Sequence, residues 1–508
     1  MTSLFKTVKI PTATLLGVEG RPVTVAVSLI RRLPCMVIVG MPGGAVRESA
    51  ERVRSSVVES GYEFPRMRVV VNLAPAELRK RGCGFDLPIA IGVLAASKQV
   101  EMPAKLLGKV GFIGELGLGG DVRSVRGVLP LVEAMRDAGC EAVVVPESNL
   151  AEAMLVEGVA AWPCQSLCDA VDILSKIKGD IPPHVTGKLT PWKPPQWTKF
   201  ALDMSEVKGQ HRPRRALEIA AAGGHNILLV GPPGCGKTML AARMSTILPA
   251  MSREEALEVT RVHSAAGLLL EGAGICTQRP FRAPHHTVTP AAMMGNAALR
   301  PGELSLANHG VLMLDELPEF RRPVVEPTAR ALQDGEVSVC RAAGTVKFPT
   351  KPLVIAAANP CPCGYAGHPE RVCRCRPEAI ERYRKRLTGP LMDQVDLQVW
   401  VQPVPVEVLV NGPPGEGSAS IRWRVTLAVH RRKQREARES VAYAETAFND
   451  STDGTQKTVG RMRVAYAMSE KDIDKLWRVA RTIADLDGSE TIDEAHVLEA
   501  SAYRLGWG

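Results

Sequence analysis

The chain has 508 residues, more than one hydrophobic core supports, so its length predicts two or three domains. Hydrophobic residues make up 45% and charged residues 23%, a balance typical of folded globular proteins and not of disordered chains. The net charge of +9 permits a polyanionic partner without requiring one.

Three features of the sequence bear on where the protein works. No apolar run approaches the length of a membrane span. The first eight residues, MTSLFKTV, have no apolar core of the kind that signal peptides carry. The 12 cysteines do not form the disulfide framework of a small secreted domain. We therefore expect no membrane association and a reducing, cytoplasmic location.

Residues 1–180 alternate β-rich runs with helix-like stretches. The β-rich runs include Cys35–Val39, Met67–Val71 and Ala142–Val145, and Gly44–Gly61 has the composition of a helix. This alternation predicts an N-terminal α/β domain. The proline-rich residues 181–197 suit neither a helix nor a central strand, so residues 181–205 are predicted to be a semi-rigid linker.

The next domain, residues 206–400, is predicted to bind a nucleoside triphosphate. The apolar run Asn226–Val230 is followed by the octapeptide GPPGCGKT and then by a helix-compatible segment, Met239–Leu248. Such a turn binds phosphates because backbone N–H groups and the helix dipole both attract negative charge. In this pattern Lys237 reaches the β- and γ-phosphates of ATP, and the Thr238 hydroxyl coordinates Mg²⁺. The predicted ATP-binding residues are Gly231, Pro232, Pro233, Gly234, Cys235, Gly236, Lys237 and Thr238.

Two later strands predict the groups that hydrolyse ATP. The buried-type run Val311–Leu314 ends at Asp315 and Glu316. In a phosphate-loop ATPase the first carboxylate holds Mg²⁺ and the second polarises the attacking water. The run Leu353–Ala357 leads to Asn359, whose amide is predicted to orient that water. The alternative role of Asn359 is an Asx turn before the following proline.

A hairpin is predicted between the acidic pair and Asn359. Residues 334–347 contain two short β-like runs around Ala342–Gly344, and they carry Arg341 and Lys347. In ring-shaped motors a hairpin at this place points into the central pore, where its cations would bind the phosphates of a threaded DNA strand. A hairpin with ordinary solvated cations fits the pattern equally well.

Two C-x-C pairs follow Asn359: Cys361 with Cys363, and Cys373 with Cys375. Four thiolates on a short glycine-bearing loop suit a closed tetrahedral Zn²⁺ site, although the spacing is tighter than the usual C-x₂-C. Two reduced pairs without metal, or a redox-labile knot, are the alternatives. A bound zinc ion would be structural and coupled to the neighbouring ATPase site.

Residues 401–508 are predicted to form a C-terminal helical lid. A second glycine-containing loop, residues 411–418, precedes a mainly helical tail. The basic run at residues 430–438 could contact DNA, but a solvated helix face is the commoner outcome for such a run.

These motifs, in this order, resemble the magnesium-chelatase-like AAA+ ATPases of the YifB/ComM type. The resemblance extends from Leu16 to Arg504, and several of its segments are long and specific. They are VGMP (39–42), VNLAP (71–75), FDLP (85–88), RRALEIAAAGGHN (214–226), FRAPHHT (281–287), PGE (301–303), DELPEF (315–320), NPCPCG (359–364) and VARTIAD (479–485).

The resemblance implies an α/β multidomain, ring-forming, hexameric ATPase that depends on DNA. ComM-type members look like helicases that drive branch migration when incoming single-stranded DNA recombines during natural transformation. The family's N-terminal domain is similar to the protease domain of Lon, which has the ribosomal protein S5 domain 2-like α/β fold. Asp86 and Leu131 fall at its nucleophile and lysine positions, and they cannot form a Ser–Lys dyad, so we expect no peptidase activity.

Two positions depart from the family pattern. Gln394 stands where an arginine would act in trans on the neighbouring subunit's γ-phosphate, a contribution of ~10³-fold or more to the rate. Arg384 and Arg386 lie close by, and Arg386 is the candidate replacement. Lys471 stands where a lid arginine is expected; it keeps the charge without the bidentate fork, and Arg478 is another candidate. We expect intact ATP binding, with turnover that is slow or needs a partner unless another arginine compensates.

The sequence therefore predicts a DNA-translocating motor that uses ATP and Mg²⁺, with zinc as a further structural metal. Its predicted partners are single-stranded or branched DNA and further copies of the chain in a homo-hexamer. Two rival functions are a chelatase-type motor subunit for metal insertion into a tetrapyrrole and an ATP-binding scaffold with weak turnover. The fused N-terminal domain and four-cysteine loop argue against the first, whereas Gln394 favours the second.

Overall fold

The fold is known from a computed structural model that describes residues 7–103, 106, 108–177, 202–341, 344–438 and 450–504. Residues 178–201, which include most of the predicted linker, and the hairpin-tip residues Ala342 and Ala343 lie outside this part of the chain. At the described end of the linker a short 3₁₀ helix spans Met204–Glu206. Its Met204 is fully buried, so the end of the linker segment packs into the central core.

The described residues form sixteen strands in five sheets. A four-stranded sheet has the order β1-β2-β4-β3, a parallel three-stranded sheet has the order β5-β8-β9, and a parallel five-stranded sheet has the order β11-β12-β15-β10-β16. The pairs β6–β7 and β13–β14 form two-stranded antiparallel sheets. The strands are β1 (Val8–Leu16), β2 (Glu19–Ile30), β3 (Cys35–Val39), β4 (Arg68–Ala74), β5 (Val110–Phe112), β6 (Glu115–Leu116), β7 (Val122–Arg123), β8 (Ala142–Pro146), β9 (Ala160–Cys164), β10 (Ile227–Val230), β11 (Phe281–Arg282), β12 (Val311–Leu314), β13 (Glu336–Arg341), β14 (Gly344–Pro349), β15 (Leu353–Ala358) and β16 (Leu397–Trp400).

Seventeen α-helices are described, and they dominate the chain after β16. They are α1 (Gly44–Glu59), α2 (Asp86–Ala96), α3 (Val128–Asp137), α4 (Leu150–Ala153), α5 (Leu167–Lys176), α6 (His211–Gly223), α7 (Lys237–Ile247), α8 (Arg253–Ala266), α9 (Pro290–Met294), α10 (Glu303–Leu306), α11 (Arg322–Asp334), α12 (Pro377–Arg384), α13 (Val406–Asn411), α14 (Ser418–Arg438), α15 (Asp453–Ala465), α16 (Glu470–Asp487) and α17 (Glu494–Ala502). Within the described residues, none of these helices is both long enough and apolar enough to traverse a bilayer.

The N-terminal part, residues 7–177, owes its sheet to alternating apolar side chains. In β2, Val23, Val25, Val27 and Leu29 are buried, because successive side chains of a strand point to opposite faces. Helix α2 reads DLPIAIGVLAA and is buried on almost every side, as expected for a helix without a polar face. The predicted N-terminal α/β arrangement is therefore present.

The central five-stranded sheet positions the candidate site. Every residue of β10, β12 and β15 is buried, which is typical of a parallel sheet covered on both faces. Val230 pairs with Ala358 and Leu314 with Ala356, so these three strands end at the same edge of the sheet. Ligands of such sheets bind at the carboxyl ends of the strands.

The helices after β16 pack onto the central part. Trp477 and Ile483 of α16 are buried in one cluster with Leu217 of α6. The Arg435 guanidinium donates two hydrogen bonds, of 2.7 and 2.8 Å, to the Asp485 carboxylate and so links α14 to α16. Together the described residues form a mixed α/β multidomain protein with parallel sheets and a helical C-terminal region, as the sequence predicts.

The N-terminal and central parts also contact each other directly. The Arg261 guanidinium of α8 donates hydrogen bonds of 3.0 and 2.7 Å to the Glu133 carboxylate of α3. A methyl group added at Gly17, in the β1–β2 turn, would lie 2.2 Å from a Val346 methyl carbon of β14. This turn therefore packs tightly against the predicted hairpin.

Candidate functional site

The loop from Gly231 to Gly236 connects β10 to α7, and its shape requires the glycines of the motif. Gly234 and Gly236 have φ values of +77° and +95°, which side chains rarely tolerate. A Cβ atom at Gly231 would lie 2.2 Å from the Val401 carbonyl oxygen. Helix α7 begins at Lys237, two residues before the predicted start at Met239, because the last residues of the loop already enter the helix.

The Lys237 ammonium lies between this loop and the end of β15. It donates hydrogen bonds to the carbonyl oxygens of Gly231 (2.7 Å) and Pro232 (2.9 Å), and to the amide oxygen of Asn359 (3.1 Å). Burial lowers the pKa of Lys237, and the carboxylates of Asp315 and Glu316 oppose that shift. The structure therefore brings the lysine, the asparagine and the acidic pair to one edge of the sheet.

Thr238 and Asp315 present a pair of oxygen ligands. The Thr238 hydroxyl donates a hydrogen bond of 2.9 Å to one carboxylate oxygen of Asp315. The other oxygen accepts a hydrogen bond of 3.0 Å from the Glu316 backbone N–H. Hydroxyl and carboxylate oxygens are the donors that Mg²⁺ prefers, and these two residues together would fit the ion.

Glu316 has a left-handed backbone conformation with φ +54°, and a histidine contacts its side chain. The Nδ1 atom of His286 lies 3.2 Å from a Glu316 carboxylate oxygen. The centroid of the His286 ring lies 4.0 Å from that of His285, with the rings tilted by 35°, and the ring meets the Phe320 ring edge-on at 6.5 Å. No sequence motif gave His286 a role. The available signal was its place in a histidine pair after β11, the strand beside β12.

A second residue that sequence reasoning missed is Tyr383 of α12. Its phenol is buried, which raises its pKa to about 12, and the nearby Asn359 backbone N–H opposes this rise. The side chain of Asn359 is held by Lys237, and its backbone lies beside Tyr383.

The four clustered cysteines converge as predicted. The Sγ atoms of Cys361, Cys363, Cys373 and Cys375 all lie within 4.8 Å of one another. Three of the separations are 3.4, 3.6 and 3.7 Å. A tetrahedral zinc site with Zn–S bonds of ~2.3 Å has sulfur atoms ~3.8 Å apart, so the cluster matches the dimensions of such a site.

The cysteine loop rests on the phosphate loop. Gly364 has a φ of +83°, and a Cβ atom there would lie 2.6 Å from Cδ of Pro233. Cys361 is fully buried, and its sulfur accepts a hydrogen bond of 3.3 Å from the Ala366 N–H. The loop that holds the thiols is therefore in van der Waals contact with the loop predicted to hold phosphate.

The predicted hairpin forms from β13 and β14. Lys347 is exposed, and its ammonium lies 2.6 Å from a Glu336 carboxylate oxygen on the opposite strand. The backbone of Arg341 pairs with Gly344. The hairpin exists as predicted, but Lys347 is partly neutralised by Glu336.

The structure also places Arg386, Gln394 and Arg478, the residues connected with the two departures from the family pattern. Arg386 lies 3.7 Å from Glu319 in a surface cleft, with 56% of its side chain exposed. Gln394 ends a short 3₁₀ helix, and its backbone carbonyl accepts a hydrogen bond of 2.8 Å from the Asn226 side chain. Arg478 of α16, a candidate for the arginine expected at Lys471, lies 3.7 Å from Asp396. Arg386 is solvent-accessible, as an arginine that acts on a neighbouring subunit must be.

Asp86, which falls at the nucleophile position of the similar Lon protease domain, is buried and forms an ion pair with Arg52. The Arg52 guanidinium donates hydrogen bonds of 2.6 and 3.1 Å to its two carboxylate oxygens, and the Leu116 N–H donates one of 3.2 Å. Burial raises the pKa of Asp86 to about 6, and Arg52 opposes this rise. Leu131 offers no base, so these side chains contain no activated nucleophile.

Three stretches of the chain match families of magnesium chelatase. Residues 203–409 match the family described as magnesium chelatase, subunit ChlI. Residues 25–149 match the family described as subunit ChlI of Mg-chelatase, and residues 415–504 match the ChlI C-terminal family. These matches include the phosphate loop and the acidic pair that follows a strand of the parallel sheet. Together they define a magnesium-chelatase-like protein of the AAA+ ATPase class.

Two relatives that are similar over nearly the whole chain identify the family within this class. The chain is 38% identical over 504 residues to YifB of Escherichia coli (strain K12), covering 96% of this chain and 95% of that protein. It is 38% identical over 509 residues to competence protein ComM of Haemophilus influenzae, covering 96% of both. A 23% identity over 179 residues with the magnesium-chelatase 38 kDa subunit of Cereibacter sphaeroides covers 32% of this chain and 54% of that subunit. The chain belongs to the YifB/ComM family.

Proposed function

We propose that this protein is a ring-forming AAA+ motor that hydrolyses ATP to move DNA, as a branch-migration helicase in the recombination of incoming DNA. The observation that carries the ATPase proposal is the convergence of Lys237, Asn359 and the Thr238–Asp315 pair at one edge of the parallel sheet. The DNA proposal is supported by full-length similarity to a competence protein and by the net charge of +9.

Each side chain of the site has a distinct proposed task. The backbone N–H groups of Gly234 to Lys237 bind the phosphates of ATP, and the Lys237 ammonium exchanges its carbonyl partners for phosphate oxygens. Thr238 and Asp315 would hold Mg²⁺, which neutralises phosphate charge when it is bound. Glu316 accepts a proton from the attacking water, and Asn359 orients that water.

His286 is proposed to be a positioning residue for Glu316. Its ring nitrogen lies 3.2 Å from the carboxylate and is itself held by His285 and Phe320. Because hydrolysis requires the Glu316 carboxylate to accept a proton from water, the contact with His286 is proposed to hold that carboxylate in the orientation that faces the water. A nucleotide or DNA signal that moved the segment after β11 would therefore change turnover without altering ATP binding.

Arg386 is proposed to act on the γ-phosphate of a neighbouring subunit in place of Gln394. Its ion pair with Glu319 is exposed and long, so it holds the guanidinium only weakly. The proposal requires a homo-hexamer or a similar ring, because the arginine and the phosphate belong to different chains. Arg341 and Lys347 are proposed to contact the DNA backbone from the hairpin.

The four cysteines are proposed to hold one structural Zn²⁺ ion, which fits the spacing of their sulfur atoms. All 12 cysteines are free of disulfide bonds, which supports the proposal that the protein works in the cytoplasm. We further propose three domains, residues 1–180, 206–400 and 401–508. The first has a Lon-protease-like fold that serves as a ring-building or DNA-facing platform without peptidase activity.

A chelatase-type motor for metal insertion is the second candidate, because the matching families are those of magnesium chelatase. The partial coverage of the Cereibacter subunit, against nearly complete coverage of YifB and ComM, makes it the weaker one. A third candidate is an ATP-binding scaffold with weak turnover, to which Gln394 lends support.

A strand-exchange assay separates these functions. A labelled three-stranded branched DNA is incubated with the full chain and ATP, and Glu316→Gln serves as the hydrolysis-deficient control. The DNA-motor proposal predicts ATP-dependent migration of the branch that Glu316→Gln lacks. Absence of migration by an enzyme that still hydrolyses ATP would contradict it, and an enzyme that only binds ATP would favour the scaffold.

A further inference from the structure

A cavity of about 670 Å³ lies between the N-terminal and central parts of the chain, away from the phosphate loop. One wall is formed by β1 and the residues that precede α2. The opposite wall is formed by the C-terminal end of α8 and the loop at residues 298–300. A ligand in this cavity would touch both parts of the protein.

Three arginines line the cavity. Arg81 and Arg126 come from the N-terminal part, and Arg300 from the central part. The Arg81 guanidinium donates a hydrogen bond of 2.7 Å to the Ala298 carbonyl oxygen, and so bridges the two walls. Within the described ranges, the side chains of Arg126 and Arg300 have no hydrogen bond or ion pair. Arg126 and Arg300 line the same cavity, and partial burial together with the nearby charge of Arg300 lowers the pKa of Arg126.

One carboxylate lines the cavity, and two others close to it have partners of their own. Glu115, in the lining, lies near the Cys83 thiol, whose pKa is raised to about 11 by burial and by this carboxylate. Asp86, which follows the lining residue Phe85, is bound by Arg52. At the rim, Glu271 accepts a hydrogen bond of 3.1 Å from Ser124. Counting three arginines against Glu115, the lining has a formal charge of +2.

We propose that this cleft binds a phosphate-bearing ligand, either the backbone of a DNA strand or the phosphate chain of a free nucleotide. A guanidinium group offers two parallel N–H donors that match two oxygens of one phosphate, and two unpartnered guanidinium groups from opposite walls suit a ligand with several charges. The ligand would replace mutual repulsion between Arg126 and Arg300 with attraction to a shared anion.

Occupation of the cleft would fasten the N-terminal part to the loop that carries Arg300. That loop continues into Pro301, which forms a bridge with Gly295 and leads directly into α10. The proposal concerns a second site and does not rest on ATP hydrolysis. Its failure is therefore distinguishable from failure of the proposed function, which the strand-exchange assay with Glu316→Gln reports.

The test uses the full chain with one equivalent of Mg-ADP, so that the phosphate loop is occupied while no excess nucleotide competes for the cleft. The variants are Arg126→Ala, Arg300→Ala and the double variant. The matched control is Arg123→Ala, an exposed arginine outside the cavity that pairs with Asp121 at 2.8 Å. The two probes are a fluorescent oligothymidylate and inorganic tripolyphosphate. An unchanged melting temperature shows that each variant is folded.

If DNA occupies the cleft, each substitution should reduce the slope of log K against log salt concentration by about 0.7, and Arg123→Ala should not. If a free nucleotide occupies it, the double variant should lose tripolyphosphate binding while its DNA affinity stays unchanged. Either result supports a phosphate site. The proposal is overturned if both probes bind the double variant as they bind the wild type. It is also overturned if the substitutions change only the oligomeric state, since the arginines would then pair with a neighbouring subunit's carboxylates.

Discussion

Gly364 of the cysteine loop lies against the ring of Pro233 in the phosphate loop, so closely that a Cβ atom at Gly364 would fall 2.6 Å from Cδ of Pro233. The same short stretch of chain carries Asn359, which holds Lys237, and Cys361, which is buried in the thiol cluster. The proposed metal site and the proposed ATPase site are therefore two ends of one packed unit.

The first prediction follows from this contact. Gly364→Ala should weaken ATP binding by about tenfold or more, because the methyl group must push Pro233 away and the positive φ is strained. Gly139→Ala is the matched control, since Gly139 has a φ of +94° with no atom within 4 Å of the added Cβ. Equilibrium binding of a fluorescent ATP analogue measures both. Equal affinities of the two variants would show that the contact does not shape the phosphate loop.

His286→Ala should lower kcat by ~10- to 100-fold and leave KM for ATP nearly unchanged. Without the His286 contact, the Glu316 carboxylate is no longer held in the orientation that faces the water. His286→Asn should recover part of the rate, since its amide can also donate a hydrogen bond. His285→Ala should have a smaller effect, because His285 contacts the His286 ring without reaching Glu316, and its Nδ1 atom lies 2.9 Å from the Thr287 hydroxyl. Loss of activity in His285→Ala with normal activity in His286→Ala would contradict the assigned role.

Protein purified without chelator should contain about one zinc ion per chain. Cys361→Ser and Cys373→Ser should lose the metal, whereas Cys35→Ser, at an exposed cysteine outside the cluster, should keep it. Because a metal bound only by the folded state stabilises it, chelation should also lower the melting temperature of the wild type. Mass-spectrometric metal analysis that finds no stoichiometric zinc would refute the site.

Arg386→Ala should retain ATP binding but lose ~10³-fold in turnover if Arg386 replaces the arginine absent at position 394. Arg382→Ala, at another arginine of the same cleft, is the control. Action in trans is tested by mixing Arg386→Ala with Glu316→Gln subunits. Each variant is inactive alone, but some interfaces of a mixed ring combine an intact Glu316 with an intact Arg386 and should hydrolyse ATP. Wild-type turnover by Arg386→Ala would remove this residue from the mechanism.

Much of the site could be predicted because its residues stand at the ends of short, fully apolar strands. β10 leads into the phosphate loop, β12 into the acidic pair and β15 into the Asn359 segment. Parallel pairing brings the ends of these strands together. The start of α7 was predicted two residues late, since the sequence does not show that Lys237 already has helical geometry.

The remaining contacts join residues that are distant in the sequence. Tyr383 reaches Asn359 across the cysteine loop, and His286 reaches Glu316 from the strand beside β12. The arginines of the cleft come from two separate parts of the chain. Periodicity and local motifs report which residues share an element, and they carry no information on how separate elements pack.

The central claim, that ATP hydrolysis moves DNA, is tested most directly by steady-state ATPase turnover with and without single-stranded DNA. DNA should raise kcat of the wild type severalfold, and Glu316→Gln should show no turnover under either condition while still binding ATP. Turnover by the wild type that DNA leaves unchanged, at DNA concentrations that saturate the protein, would contradict a role of ATP hydrolysis in moving DNA.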